Sequence, residues 1–327
     1  MIDSRRIRFL DWWHFGVPGK GGWWISRTPA LFLAGVVVAG SSGCSSRQAR
    51  PPVEDSLTTG RITIVCPIEA ESLLARERDA FEALYPDASI RVEPARPREA
   101  VGQLFAAQCD AAVLSRDLTP EERGAASRGR LELEGYRFAK DAVALVVNPA
   151  NPTENIALDV LRRIYQGRVT DWSQAAGFTG RIEPVVPPVE SDMADFFIEH
   201  VMNGEPIQAR VLTARSDSDV VATVAARPGA IGFVSMARSD HGAKTLHLSA
   251  MNGLPYELPD AETVYRGEYP LSRPYLFEVR AAGPRLAHGF ITYVTSQDGQ
   301  RIVHEAGLVP TAVPVRFVRR SPMRGSH

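Results

Sequence analysis

Charge of neither sign is in excess: 37 Lys and Arg face 38 Asp and Glu, a formal net charge of −1. That excludes the broad basic surface on which nucleic-acid binding depends. Cysteine is scarce, three in 327 residues, so no disulfide framework or cysteine-built zinc site organises the fold. No apolar stretch reaches the length of an ordinary membrane-spanning helix. His14, His200, His241, His247, His288, His304 and His327 show no metal-ligand spacing. No P-loop, dinucleotide fingerprint, nucleophile elbow or cysteine–histidine pair occurs. Neither a metal, nor a cofactor, nor catalysis is therefore expected. What is present is ordinary globular material, 44% hydrophobic and 23% charged, enough for a proper core and for two domains.

The first 44 residues read as an export signal. Arg5, Arg6, Arg8, Lys20 and Arg27 precede the apolar run Pro29 to Gly40, and small residues then lead to Cys44. "SSGC" is similar to the bacterial lipobox, whose cysteine becomes the lipidated first residue, although Ser41 stands where a large aliphatic residue is usual. An exported protein, anchored to the membrane through Cys44, is the expectation. Cys66 and Cys109 would then share an oxidising compartment. Cys66 ends one expected strand and Cys109 precedes another, so in a parallel pair they lie at opposite ends, as two buried thiols. Residues 45–60 are polar and proline-bearing and read as a linker. Residues 319–327 read as a frayed basic tail.

Between them, apolar periods of two and of 3.6 residues alternate. "RITIVC" predicts a strand, and Leu73, Leu74, Phe81 and Leu84 predict a helix after it. "ASIRV", "DAAVLS" and "KDAVALVVN" predict further strands; "REAVGQLFAAQ" and "ALDVLRRIYQG" predict helices, the second closed by Gly167. Strands and helices in alternation argue for largely parallel sheet covered on both faces. "PPVESDMADFF" opens one more helix, with Phe196, Phe197, Val201 and Met202 on a single face, Gly204 as its stop and Ser191 or Asp192 as its N-cap. A helix start is also where proteins hold oxyanions.

Five blocks taken together resemble one family, the phosphate-binding proteins of ABC phosphate importers, which have the type II periplasmic-binding-protein fold. They are "DAVALVVNPANP" (141–152), "LDVLRRIYQGRVTDWSQAAG" (158–177), "PGAIGFVS" (228–235), "YPLSRPYLF" (269–277) and "SQDGQRIVHEAGLVP" (296–310). The resemblance implies an α/β fold of two lobes with mixed, mostly parallel sheets flanked by helices and two interlobe crossovers. Lobe 1 would comprise residues 61–142 and 236–318, lobe 2 residues 143–235. It also implies a monomer that delivers a small, phosphate-like oxyanion to an ABC permease. Tyr165, Trp172 and the stretch Tyr269 to Tyr275 are read as packing that identifies the fold rather than the ligand.

The ligand loops depart from the family. Cys66, Pro67, Ile68 and Glu69 replace a cluster of glycine, serine and threonine; Ala95 in "PARPREA" replaces a serine; Pro187 falls where an arginine belongs. Loss of one arginine and two hydroxyls weakens an anion site by on the order of 5 kcal/mol, thousands-fold in affinity. Ser191 persists, as do Ser115 and Arg116 of "DAAVLSRD". Arg116 either serves the ligand or pairs with Asp117 or a carboxylate across the cleft. Asp192, together with Glu69, is expected to stand in for an anion, with Arg96, Arg98 or Arg116 as counterion. The candidate ligand-binding set is thus Glu69, Arg96, Arg98, Ser115, Arg116, Ser191 and Asp192. Its alternative is an unknown small ligand, or a diverged non-transport module for sensing, scaffolding or protein contact.

Overall fold

The computed structural model describes residues 55–239 and 242–311. The export signal with Cys44, residues 45–54 of the linker, His241 and the tail lie outside the described residues. The chain runs β1 (Gly60–Cys66), α1 (Ile68–Leu84), β2 (Ala88–Pro94), α2 (Pro97–Phe105), β3 (Ala111–Leu114), α3 (Pro120–Arg128), β4 (Leu133–Val147), β5 (Asn155–Ala157), α4 (Leu158–Tyr165) and β6 (Glu183–Val186). It continues α5 (Asp192–His200), β7 (Leu212–Thr213), α6 (Asp217–Ala225), β8 (Ala230–Ser235), β9 (Lys244–Thr245), β10 (His247–Ser249), α7 (Ala261–Arg266), β11 (Ser272–Arg280), α8 (Arg285–Val294), α9 (Gln297–Glu305) and β12 (Val309–Pro310). Local chemistry sets several of the ends. Pro97 opens α2, where a missing N–H costs nothing. Gly167 (φ +73°) and Gly204 (φ +81°) stop α4 and α5 in the left-handed region that favours glycine.

Among the described residues, ten strands form a curled, mixed sheet in the order β2-β1-β3-β11-β4-β8-β6-β7, with β9 and β12 also paired to β4, while β5 and β10 pair with each other in a separate parallel ribbon. The two sheets implied by the resemblance are continuous because β4, at 15 residues, belongs to both. Its first part pairs with β11 and its last residues, Val143 to Val147, pair with β8. Side chains alternate across the sheet as a period of two requires. Ile62, Ile64 and Cys66 of β1 enter one cluster while Val65 enters the layer opposite. In the other half, Val143, Leu145 and Val147 of β4 enter a third cluster and Ala144 and Val146 a fourth. Of the span 236–318 assigned to lobe 1, Leu246, Leu248, Val264, Tyr269 and Leu271 pack with the lobe 2 residues of that third cluster. The cause is again β4, whose far end pairs with β9.

The aromatic residues of the family blocks are core. Tyr165 and Trp172 are fully buried; the Tyr165 hydroxyl lies 3.2 Å from the Val185 carbonyl, and Trp172 Nε1 donates to the Gly229 carbonyl at 3.1 Å. Tyr269 donates to the Val143 carbonyl at 2.8 Å. Cys66 and Cys109 are free and buried, and burial pushes their thiols up to about 12 and about 11.

One residue breaks the pattern of α1. Its buried stripe is Ala70, Leu73, Leu74, Glu77 and Phe81, while Leu84 at the helix end is exposed. Glu77 is fully buried, neither carboxylate oxygen has a hydrogen-bond partner, and burial pushes its carboxyl up to about 8. A carboxyl whose folded pKa is raised keeps its proton in the fold after the unfolded chain has lost it. Folding is therefore least penalised below the unfolded value of 4.5, and stability falls as pH rises towards about 8. Denaturant unfolding of wild type should lose stability between pH 5 and pH 8, and Glu77→Met should remove the Glu77 share of that loss, the part nearest pH 8, with a gain larger at pH 8 than at pH 5.

Candidate functional site

Two neighbouring strands carry opposite charges on fully buried positions: Asp141 in β4 and Arg273 in β11. The register places them directly opposite one another. Both are fully buried. Arg273 Nε and Nη2 donate to Asp141 Oδ2 at 3.1 and 2.9 Å, and Nη2 also reaches the Tyr275 hydroxyl at 2.9 Å. Asp141 Oδ1 takes the Ala142 amide at 2.8 Å and the Ser235 hydroxyl at 2.7 Å. The remaining nitrogen, Nη1, crosses to Asp192 Oδ2 of α5 at 2.8 Å. The guanidinium lies over the Tyr275 and Phe196 rings, 5.3 and 5.8 Å from their centroids. Burial alone would lower its pKa; Tyr275, Asp141, Asp192 and Glu69 outweigh that and hold the guanidinium charged.

Helix starts surround this centre. Ser191 is the N-cap of α5, accepting the Ala194 amide at 3.1 Å. The Met193 amide donates to Glu69 Oε1, from the first turn of α1, at 3.0 Å. Burial pushes the Glu69 carboxyl up to about 7 against the pull of Arg273, with Asp192 adding to the rise. The first turn of α6 brings in Asp217, whose carboxylate accepts the Ser235 amide at 3.1 Å and whose pKa burial raises. A hollow of about 620 Å³ lies between the halves, walled by Arg96, Arg98, Ser115 and Arg116 on one side and by Asp192, Asp195 and Phe196 on the other. A second, of about 840 Å³, is lined by Glu69, Ser191, Asp217, Ser235 and Tyr275 among others.

Of the seven candidate residues, Arg96, Arg98, Ser115, Arg116 and Asp192 line the first hollow, and Glu69 and Ser191 line the second. Their expected pairing is different in one respect. Arg96 pairs with Asp195, both oxygens at 2.9 Å. Arg116 forks onto Glu122 at 2.7 and 2.8 Å and donates to the Asp117 carbonyl. Arg98 is exposed in the cleft and makes no ion pair with the described residues. None of the three is the counterion of Asp192. That partner is Arg273, read in the sequence as part of a packing block. A signal was there: an arginine two residues before Tyr275, on the face that Tyr275 and Phe277 turn to the core, needs a carboxylate, and Asp141 is the charged member of the neighbouring buried run.

Breaking such a pair costs more than the pair contributes, since the abandoned charge stays buried. Arg273→Met strands two carboxylates and should destabilise by about 3–5 kcal/mol in denaturant unfolding. Asp192→Ala, which leaves Arg273 its bonds to Asp141, should cost distinctly less.

The cleft can be compared with proteins of known kind. The chain is 24% identical over 286 residues to the phosphate-binding protein PstS of Bacillus subtilis, covering 86% of this chain and 91% of that protein. It is 26% identical over 228 residues to protein SphX of Synechococcus elongatus, covering 64% of this chain and 67% of the relative. Among solved structures, an ABC-type phosphate transport receptor from Vibrio cholerae superposes with a TM-score of 0.67 at 23% identity, over 76% of this chain and 99% of the receptor, a likeness of fold. Residues 51–298 match the family model of the PBP superfamily domain, and with that span inside it the chain belongs to this family.

Proposed function

We propose that the protein is the solute-binding component of an ABC importer and takes phosphate or another small oxyanion in the interlobe cleft. The observation that carries the reading is the convergence of the starts of α2 and α5 on one hollow beside Ser115, Arg98 and Arg116, with the starts of α1 and α6 lining a second hollow together with Ser191. Helix starts present N–H groups and the positive end of the helix dipole, and a hydroxyl with a planar guanidinium completes the usual means of holding an oxyanion. The name of the Bacillus subtilis relative and that of the Vibrio cholerae receptor agree with this reading and do not favour a non-transport module. Its work is capture and delivery rather than catalysis, so its partners are the oxyanion and a permease, and it acts as a monomer.

Among the described residues no helix is long and apolar enough to cross a membrane. The proposed location is the periplasm or the outer face of the cytoplasmic membrane, by export through the signal over residues 1–44 and lipidation at Cys44. Within the cleft, Arg98 and Ser115 are proposed to meet the ligand directly, and Arg116 to meet it while braced by Glu122.

A ligand that binds only the folded state raises stability with its concentration, by about 2.7 kcal/mol at a hundred times the dissociation constant. Orthophosphate should therefore raise the melting temperature progressively, and Arg98→Ala should weaken binding measured by calorimetry by about tenfold, the worth of one charge-assisted hydrogen bond. A melting temperature unmoved by phosphate, sulfate and molybdate would overturn the reading.

A further inference from the structure

Three contacts tie the two sides of the cleft together, and the chain's own side chains make all of them. Arg273 of β11 holds Asp192 at 2.8 Å, the Met193 amide donates to Glu69 of α1 at 3.0 Å, and Arg96 grips Asp195. All three end on the first turn of α5. The Arg96–Asp195 pair is about half exposed on both sides and contributes little. The other two sit where an oxyanion would do its work. An anion at the start of α5 takes the Met193 amide and faces the nearest buried cation. Here Glu69 Oε1 is on that amide and Asp192 is on that cation. Glu69 Oε2 is buried without a hydrogen-bond partner among the described residues.

In binding proteins of two halves the ligand supplies the bonds that draw the halves together. A carboxylate on a side chain supplies the same bonds without the entropy lost in capturing a free molecule. We infer that Glu69 and Asp192 are tethered carboxylates that hold the cleft closed from within, and that an oxyanion gains the start of α5 by displacing them. They set how open the protein is and how strongly it binds. The second half of this inference rests on the oxyanion reading above; the first does not.

The experiment compares wild type with Glu69→Ala/Asp192→Ala, and with Glu69→Gln/Asp192→Asn, which keeps side-chain shape in case truncation harms folding. Solution scattering is recorded with and without orthophosphate, and orthophosphate and sulfate are titrated by calorimetry. Both variants should show a larger radius of gyration than wild type before phosphate is added and contract on its addition, and each should bind orthophosphate tighter by about tenfold or more, since one charged competitor is removed at each of two bonds. Variants with the radius of wild type, or with phosphate affinity no better than a measurable wild-type affinity, would overturn the inference. Failure of every chain to bind either anion would overturn the oxyanion reading instead, and the scattering of the variants would still decide, in either direction, whether the ties are internal.

Discussion

A single buried guanidinium organises the centre of this molecule. Arg273 and Asp141 sit opposite each other on two central antiparallel strands, both without solvent contact. Two such charges are tolerable because they are bonded to each other and to their neighbours: Ser235, Ala142 and Tyr275 complete the pair, and two aromatic rings flank the guanidinium. The arginine has one nitrogen left over, and that nitrogen reaches out of the first half to α5. A structural ion pair in the sheet and a contact across the cleft are therefore the same object. Any change in the cleft is felt at the joint between the halves.

The second constraint is the length of β4. It is buried along its last ten residues except at Lys140, and it pairs first with β11 and then with β8. Both halves hang on it, so the surfaces facing each other across the cleft are fixed by where the strands end. Helix starts follow strand ends in α/β topology, which is why those of α2 and α5 open on one hollow and those of α1 and α6 on a second. In this chain the first is furnished with acids as well as bases. Asp192 and Asp195 face Arg96, Arg98 and Arg116 across it, and among these three arginines only Arg98 makes no ion pair with the described residues.

The placement of most elements could be read along the chain. Period-two runs located β1, β2, β3 and the end of β4, and Gly167 and Gly204 marked helix ends because few other residues tolerate a positive φ. The beginning of β4 was missed: "LELEGYRFA" has more charge than a buried strand shows, and its pairing with β11 supplies a stability that no local signal reports. The resemblance named Ser115, Arg116, Ser191 and Asp192 as candidates, and each follows a strand or opens a helix. The pairings of the site could not be read in the same way. Arg96 and Asp195 are 99 residues apart and Arg273 and Asp192 are 81 apart, and no periodicity runs over such distances.

Side-chain period, turn residues and local spacing were enough for an α/β chain, the placement of several of its elements and two buried thiols, while the binding-protein fold and the loops of interest came from the resemblance of five sequence blocks to a known family. Only the tertiary structure decided that Arg273 is the partner of Asp192, that Glu69 occupies an amide of another helix, and that Arg96 and Arg116 are engaged with Asp195 and Glu122. Charges attract at a distance set by the path of the whole backbone. Which carboxylate reaches which cation is a property of the folded sheet.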